Sequence, residues 1–178
     1  MAYGKDTSMM LKVLGAIFVI IGSGYTGFLL CILHKRKVKT IKELIAALEY
    51  MECELRFHNS ALPELCRQAA SICSDKLGYF FVAFADSLEE CVFLDACQCM
   101  EGELRECNDL PACVKEYMIK FGQTVGSFDV DGQIKCIRRV CDDCCCSLEK
   151  IQAEDSNRLK NYKTVSICTG LAIAILLF

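Results

Sequence analysis

Residues 129–151 read DVDGQIKCIRRVCDDCCCSLEKI, and their apolar side chains recur at alternating steps of three and four. This spacing places them on one face of a long α-helix, as in a heptad-like seam. Asp129 is expected to cap the start of this helix, and Asp131 adds favourable charge to its first turn. The seam consists of Ile134, Ile137, Cys141, Cys144, Leu148 and Ile151.

The chain before this helix repeats the same periodicity in shorter segments. A first amphipathic helix is predicted from the stripe Ile41, Leu44, Ile45, Leu48, Met51 and Leu55. Ser60 is expected to cap the next helix, with Pro63 in its first turn, and Asp75–Gly78 is expected to be a turn. Further stripes follow through Phe80, Phe84 and Leu104, and no strand-like alternation is long enough to predict a sheet. The sequence therefore predicts an all-α fold, a helical bundle.

An uncharged apolar segment, VLGAIFVIIGSGYTGFLLCIL, occupies Val13–Leu33. As a helix it would be about 31 Å long, enough to cross the hydrocarbon core of a bilayer. A cleaved signal peptide is the alternative, but its apolar region would be shorter and a small-residue cleavage site would follow it. Here a basic cluster follows, so we expect a retained transmembrane helix.

The charges beside the apolar segments set the expected orientation. Two lysines precede the first segment, whereas five basic residues follow it within residues 35–42, which places the following domain in the cytoplasm. A second apolar segment, 164–178, follows another basic cluster, and as a helix it is so short that it either spans a thinned bilayer or stops inside it. The predicted layout is an extracytoplasmic N-terminus, a transmembrane helix, a cytoplasmic helical domain and a C-terminal membrane segment, at 1–12, 13–33, 34–163 and 164–178.

Fifteen cysteines would suggest disulfides in a secreted chain. Most of them lie in the predicted cytoplasmic domain, where a reducing environment keeps thiols free and cysteine acts as a small apolar residue. Cys141 and Cys144 form a C-x-x-C pair, but no second pair supplies the remaining ligands of a structural zinc site. The helix is expected to point Cys145 away from both. We therefore expect no metal and no cofactor.

The search for catalytic residues finds no supporting motif. The sequence has no P-loop and no nucleophile elbow, and His58 stands at a predicted helix end and not beside other metal ligands. Asp142 and Asp143 are adjacent, so a helix points them to different faces. The net charge of −3 argues against a nucleic-acid partner, because phosphate contacts need a basic face. We expect no catalytic residue and no enzyme activity.

Four segments together resemble the stage III sporulation protein AB family of endospore-forming bacteria. The most specific is FGQTVGSFDVDGQI, residues 121–134, in which Gly122, Gly126, Asp129 and Gln133 match the family pattern. Phe128 departs from it, since the family tends to have a small hydroxyl residue there. The other three segments are LKVLGAIFVIIGSGYTG at 11–27, ELRFHNSALPEL at 54–65 and LKNYKTVSICTGLAIAILLF at 159–178.

The resemblance implies a place in the assembly between mother cell and forespore. It also implies a cytoplasmic helical domain similar to that of the platform proteins of type II secretion systems. The expected partners are a cytosolic hexameric ATPase, the stage III sporulation protein AA of the same assembly, together with other small membrane proteins and the membrane itself. The expected location is the mother-cell membrane facing the forespore, with the helical domain in the cytoplasm.

The expected function is accordingly that of a membrane-anchored scaffold of a sporulation channel that docks the ATPase. Gly122, Gly126, Asp129 and Gln133 are the expected structural or interaction motif. One of the two glycines is expected to end a helix with a positive φ, and the segment between them to form either a turn or a partner surface. The alternative function is a cysteine-dependent metal-binding or redox membrane protein.

Overall fold

The computed structural model describes residues 32–58, 60–90, 95–125 and 129–177, with the side chains of the last helix described through Glu154. These residues form six helices and no strand, so the predicted all-α class is confirmed. The helices are α1 at 32–57, α2 at Leu62–Ala70, α3 at Asp75–Glu90, α4 at Ala96–Glu106, α5 at Ala112–Val125 and α6 at Val130–Leu177.

The chain divides into two units, one formed by residues 37–150 and the other by residues 1–36 with 151–178. The first unit contains the whole of α2 to α5, most of α1 and the first part of α6. All contacts described below lie within it.

Successive helices of this unit run antiparallel. Between α1 and α2, the Tyr50 hydroxyl donates to Oε1 of Gln68 at 3.1 Å. Farther along, the Ser74 hydroxyl donates to Oε2 of Glu43 at 2.6 Å. The residue number of the contacting residue therefore rises as the residue number in α1 falls, which shows that α1 and α2 are antiparallel. Between α2 and α3, Arg67 forms ion pairs with Asp86 at 2.9 Å and with Glu89 at 2.6 Å.

The later helices follow the same rule and close the bundle. Between α4 and α5, the Lys115 ammonium donates to the carbonyl oxygen of Leu104 at 3.1 Å. Helix α6 contacts α5 through a hydrogen bond between the hydroxyls of Tyr117 and Ser147. On its other side α6 contacts α1, where Arg138 pairs with Glu52 at 3.3 Å. The last helix therefore lies beside both the first and the fifth.

The core is apolar throughout the described residues, with no buried polar or charged residue. Phe80 stacks on Phe84 at 6.4 Å between ring centroids and meets Phe81 edge-on at 6.1 Å. Burying one such side chain contributes about 1.5–3 kcal/mol. The predicted α1 stripe is buried except at Ile45, which is half-buried. In the α6 seam Ile137, Cys141 and Cys144 are buried, and Ile134, Leu148 and Ile151 are half-buried.

Two local expectations are wrong. Ala61, and not Ser60, is the N-cap of α2, and no side chain caps this helix. The expected turn Asp75–Gly78 is the first turn of α3, whose Gly78 amide donates to the Ser74 carbonyl at 2.8 Å. A Cβ at Gly78 would lie 2.9 Å from the carbonyl oxygen of Ala70. Glycine is therefore needed there for the close approach of α2 and α3, and not for a turn.

Within the part of the chain that the structure describes, no helix is both long enough and apolar enough to cross a membrane. The predicted transmembrane helix 13–33 lies outside the described residues except for its last two positions. The predicted C-terminal segment 164–178 is described through residue 177 and only as helical backbone. The predicted boundaries at 12, 33 and 163 stay predictions.

Candidate interaction site at the loop end of the bundle

Helices α1, α3 and α5 finish at the same end of the 37–150 unit at which α2, α4 and α6 begin, because neighbouring helices are antiparallel. We name this end the loop end. The opposite end contains the first turn of this unit's α1 and the position where α6 leaves the unit at Lys150. The segments 54–65 and 121–134, which the sequence analysis singles out, both reach the loop end.

Asp129 caps α6 as the sequence predicts. Its Oδ1 accepts a hydrogen bond from the Gly132 amide at 3.0 Å, and its carbonyl oxygen accepts one from the Gln133 amide at 2.9 Å. The side chain thereby satisfies one of the free N–H groups at the helix start. Gln133 is half-buried in the first turn of the same helix. Asp129 and Gln133 therefore lie together, and their part in an interaction stays a prediction.

Of the two glycines in the motif, Gly122 is not the one that ends a helix. It lies inside α5, which continues to Val125, so it neither ends the helix nor begins a connecting segment. It is buried, and a Cβ there would lie 2.8 Å from Cβ of Met100 in α4. Glycine at this position permits the close packing of α4 and α5. Gly126 lies outside the described residues.

Sequence reasoning missed a solvent-facing group on α1 and α6. Phe57, in the last turn of α1, is 73% exposed, and a shallow depression beside it is lined by Glu49, Glu52, Cys53, Arg56 and Phe57. Oε1 of Glu52 forms ion pairs with Nη2 of Arg56 at 2.7 Å and with Nη2 of Arg138 at 3.3 Å. The sequence offers one sign of this group, because Phe57 is aromatic and lies two positions beyond Leu55, the last residue of the predicted α1 stripe.

Two thiols of α6, those of Cys141 and Cys144, lie in the core. Cys141 and Cys144 are buried, and burial, with smaller contributions from neighbouring thiols and carboxylates, raises the pKa of each to about 12. Both are therefore protonated at neutral pH, whereas the thiolate is the metal ligand and nucleophile. The expectation that the helix points Cys145 away from Cys141 is wrong, because the two residues are four positions apart in α6 and therefore share a helix face.

Metal binding by these thiols would need additional ligands close by. Among the described residues, no group of three or more histidine, cysteine, aspartate or glutamate side chains is arranged to hold a metal ion. His58 is not part of such a group, since it is exposed and lies 3.0 Å from Oε2 of Glu54 on α1. Among the described residues, no contact or burial favours the alternative of a metal-binding or redox protein.

Comparison with known proteins shows one family. The family model for stage III sporulation protein AB matches residues 12–178. The chain is 27% identical over 171 residues to the stage III sporulation protein AB of Bacillus subtilis (strain 168). The aligned region covers 94% of this chain and 99% of that protein.

A solved structure of a stage III sporulation protein AB has a similar fold. The TM-score is 0.58 with 22% sequence identity, and the likeness covers 68% of this chain and 98% of the other. At this identity the structure supports the fold alone, whereas the family model supports the relationship across nearly the whole sequence. The chain belongs to the stage III sporulation protein AB family.

Proposed function

We propose that this protein is a membrane-anchored scaffold of a sporulation assembly that docks a cytosolic hexameric ATPase at the mother-cell membrane. The observation that carries the proposal is the family match over residues 12–178, which includes the predicted transmembrane helix, the helical bundle and the tail. Membership of this family supports a role in sporulation. Docking of the ATPase rests on the implied kinship with secretion platform proteins.

The geometry of the bundle supports a scaffold that is anchored at one end. Within the 37–150 unit, α1 starts and α6 leaves at the end opposite the loop end. The chain therefore enters and leaves this unit at the same end of the bundle. We place the docking surface at the opposite end, the loop end.

The chemistry of the described side chains also favours binding over a reaction at thiols. The buried α6 thiols are protonated at neutral pH because burial raises their pKa to about 12. A protonated buried thiol packs as a small apolar group. The function proposed here uses the bundle as a rigid surface.

The direct test mixes the full chain, purified in detergent micelles, with the purified stage III AA ATPase from the same organism. Size-exclusion chromatography should yield a complex that contains both proteins. The matched control is an unrelated hexameric ATPase of similar size, which should elute separately. Absence of a complex at tens of micromolar concentrations of both proteins would contradict ATPase docking.

A second test concerns the membrane anchor. A cytoplasmic reporter fused after Lys37 should be active, and the same reporter fused ahead of Lys5 should be inactive, because five basic residues follow the predicted span and two precede it. An extracytoplasmic location for the fusion after Lys37 would contradict the orientation and, with it, access to a cytosolic ATPase.

A further inference from the structure

We propose that the first turns of α1 bind the headgroups of acidic phospholipids through three exposed lysines, Lys35, Lys39 and Lys42. We name these three residues the lysine stripe. The inference rests on the proposed function, because it adds to the membrane anchor the class of lipid that the anchored chain selects.

The lysine stripe lies on one side of α1. Its positions are four and three residues apart, so the 100° rotation per residue places all three within about 60° around the helix. All three side chains are exposed, and that of Lys39 is 71% exposed. Leu44 and Leu48 are fully buried on the opposite side of the same helix. The three ammonium groups therefore face solvent and take no part in the packing of the bundle.

Carboxylates of α1 offset the charge of the stripe only in part. Residues 32–48 contain five lysine and arginine residues and a single acidic residue, Glu43. Glu43 pairs with Lys39 at 3.6 Å. Lys35 and Lys42 form no salt bridge with another described residue. Two of the three ammonium groups are therefore available to a phosphate without breaking an ion pair.

The neighbouring segments of the chain do not cancel this charge. Residues 32–43 and 149–163, where the chain enters and leaves the 37–150 unit, contain nine basic and four acidic residues. The four acidic residues are Glu43, Glu149, Glu154 and Asp155. At the same end of the unit, residues 71–76 and 105–115 join α2 to α3 and α4 to α5, and together they contain three residues of each sign. The whole chain has 20 basic and 23 acidic residues, so this positive excess is local.

The distance of the stripe from the predicted transmembrane helix matches the depth of the headgroups. The predicted helix ends at Leu33, and at 1.5 Å per residue Lys35, Lys39 and Lys42 follow it along α1 by about 3, 9 and 14 Å. The headgroup layer adds about 5–7 Å to each side of the hydrocarbon core, and the Debye length at physiological ionic strength is about 8 Å. The stripe thus begins inside the headgroup layer and ends about one Debye length beyond it.

The chemistry of the stripe fits the phosphates of a lipid surface. Clusters of lysine and arginine beside a transmembrane helix attract acidic lipids. Lysine suits a fluid headgroup layer, because its ammonium is a point charge on a flexible stem and binds phosphate without a fixed geometry. A topology signal requires positive charges near the span, whether or not they share one side of a helix. Lipid binding explains in addition why the three lysines share a side and why the stripe extends to Lys42.

The experiment uses the full chain reconstituted in phosphatidylcholine vesicles that contain a trace of spin-labelled lipid. Electron paramagnetic resonance measures how strongly the chain immobilises spin-labelled phosphatidylglycerol relative to spin-labelled phosphatidylcholine, at low and at physiological salt. The result is the ratio of the two association constants. A thermal melt of each variant verifies that the bundle is folded.

Three variants separate the stripe from a general effect of charge. The stripe variant combines Lys35→Gln, Lys39→Gln and Lys42→Gln. The double variant combines Lys39→Gln and Lys42→Gln and keeps the basic residues nearest the predicted span. The matched control removes the same charge from exposed positions of α6 near the loop end, and it combines Lys135→Gln, Arg138→Gln and Arg139→Gln.

The proposal predicts that the unsubstituted chain prefers phosphatidylglycerol about fivefold or more at low salt and that the preference falls at physiological salt. The stripe variant should bring the ratio of association constants close to one, and the double variant should give an intermediate ratio. The control should keep the ratio of the unsubstituted chain.

An unsubstituted chain without a preference would overturn the lipid assignment while leaving the membrane anchor intact. Equal losses in the stripe variant and in the control would overturn the assignment to the stripe, because removal of any positive charge would then have the same effect. A chain that alkaline carbonate extracts from the vesicles would overturn the anchor itself, and the inference with it.

Discussion

The core around Phe84 and the loop end around Phe57 contain the same side chain in opposite surroundings. Phe84 is fully buried and stacks on Phe80, whereas Phe57 is 73% exposed beside the shallow depression on α1. Truncating Phe84 removes a large buried apolar surface from the core, whereas truncating Phe57 changes the buried apolar area only slightly. The comparison teaches that the fold depends on the interior faces of the helices, which leaves the loop-end side chains free to serve binding.

The largest expected effect separates the two phenylalanines. Phe84→Ala should destabilise the bundle by about 3–5 kcal/mol, because it removes a fully buried aromatic ring and leaves a cavity. Phe57→Ala should stay within about 0.5 kcal/mol of the unsubstituted protein, as exposed substitutions usually do. Urea denaturation of the full chain in detergent, followed by circular dichroism, measures both. Equal losses would show that Phe57 belongs to the packed core.

The next effect tests the packing of α4 against α5. Gly122→Ala should destabilise by about 1–3 kcal/mol, because its Cβ would meet Cβ of Met100 at 2.8 Å and the helices must separate. The matched control is Gly102→Ala in α4, where nothing lies within 4 Å. That substitution should stabilise the helix by about 0.5–1 kcal/mol. Opposite signs for the two glycines are the predicted result, and equal signs would contradict the close approach.

The buried thiols make stability depend on pH. Burial raises the pKa of Cys66 and of Cys144 to about 12, from an ordinary value near 9.0. Between these values the unfolded chain loses protons that the folded chain keeps, so stability is full below about pH 9 and falls as pH rises. Each thiol should contribute a slope of about 1.4 kcal/mol per pH unit in that window.

Urea denaturation under reducing conditions at two pH values inside this window, about pH 10 and about pH 11, measures this slope. Cys144→Ala should make it shallower by the contribution of one thiol, and Cys146→Ala, at an exposed position, serves as the control. A slope that Cys144→Ala does not change would mean that this thiol titrates normally in the folded protein.

The smallest effect concerns the cap of α6. Asp129→Ala should cost about 1 kcal/mol, because the Gly132 amide loses its side-chain acceptor. Asp131→Ala removes only a favourable charge from the first turn and should cost a few tenths of that. Thermal melts of the two variants should therefore differ measurably. Identical melts would indicate that water replaces the Asp129 carboxylate without loss.

Much of the fold follows from periodicity in the sequence. The stripes of α1 and α6 identify buried residues such as Leu48 and Cys144, since a repeat of three and four residues can be satisfied only by one helix face. Asp129 was recognised as a cap because its interaction is local in sequence. Predictions of this kind succeed where the cause lies within a few residues.

Glycines show where local reasoning stops. Gly78 and Gly122 were expected at turns or helix ends, yet both are needed for contacts with a different helix. The neighbouring residues are Ala70 and Met100, and no sequence feature indicates that either one packs against a glycine. The ion pair between Arg138 and Glu52 was missed for the same reason, because the two residues meet only through the antiparallel packing of α6 on α1.

One measurement tests most directly whether the loop end is where the partner docks. A photocrosslinking amino acid is placed at position 57, and in a separate strain at position 79, and sporulating cells are irradiated. Both positions are exposed, at 73% and 76%, so solvent access is matched. The account predicts that the chain substituted at position 57 crosslinks to the ATPase and that the chain substituted at position 79 does not. A crosslink to the ATPase from position 79 without one from position 57 would contradict it.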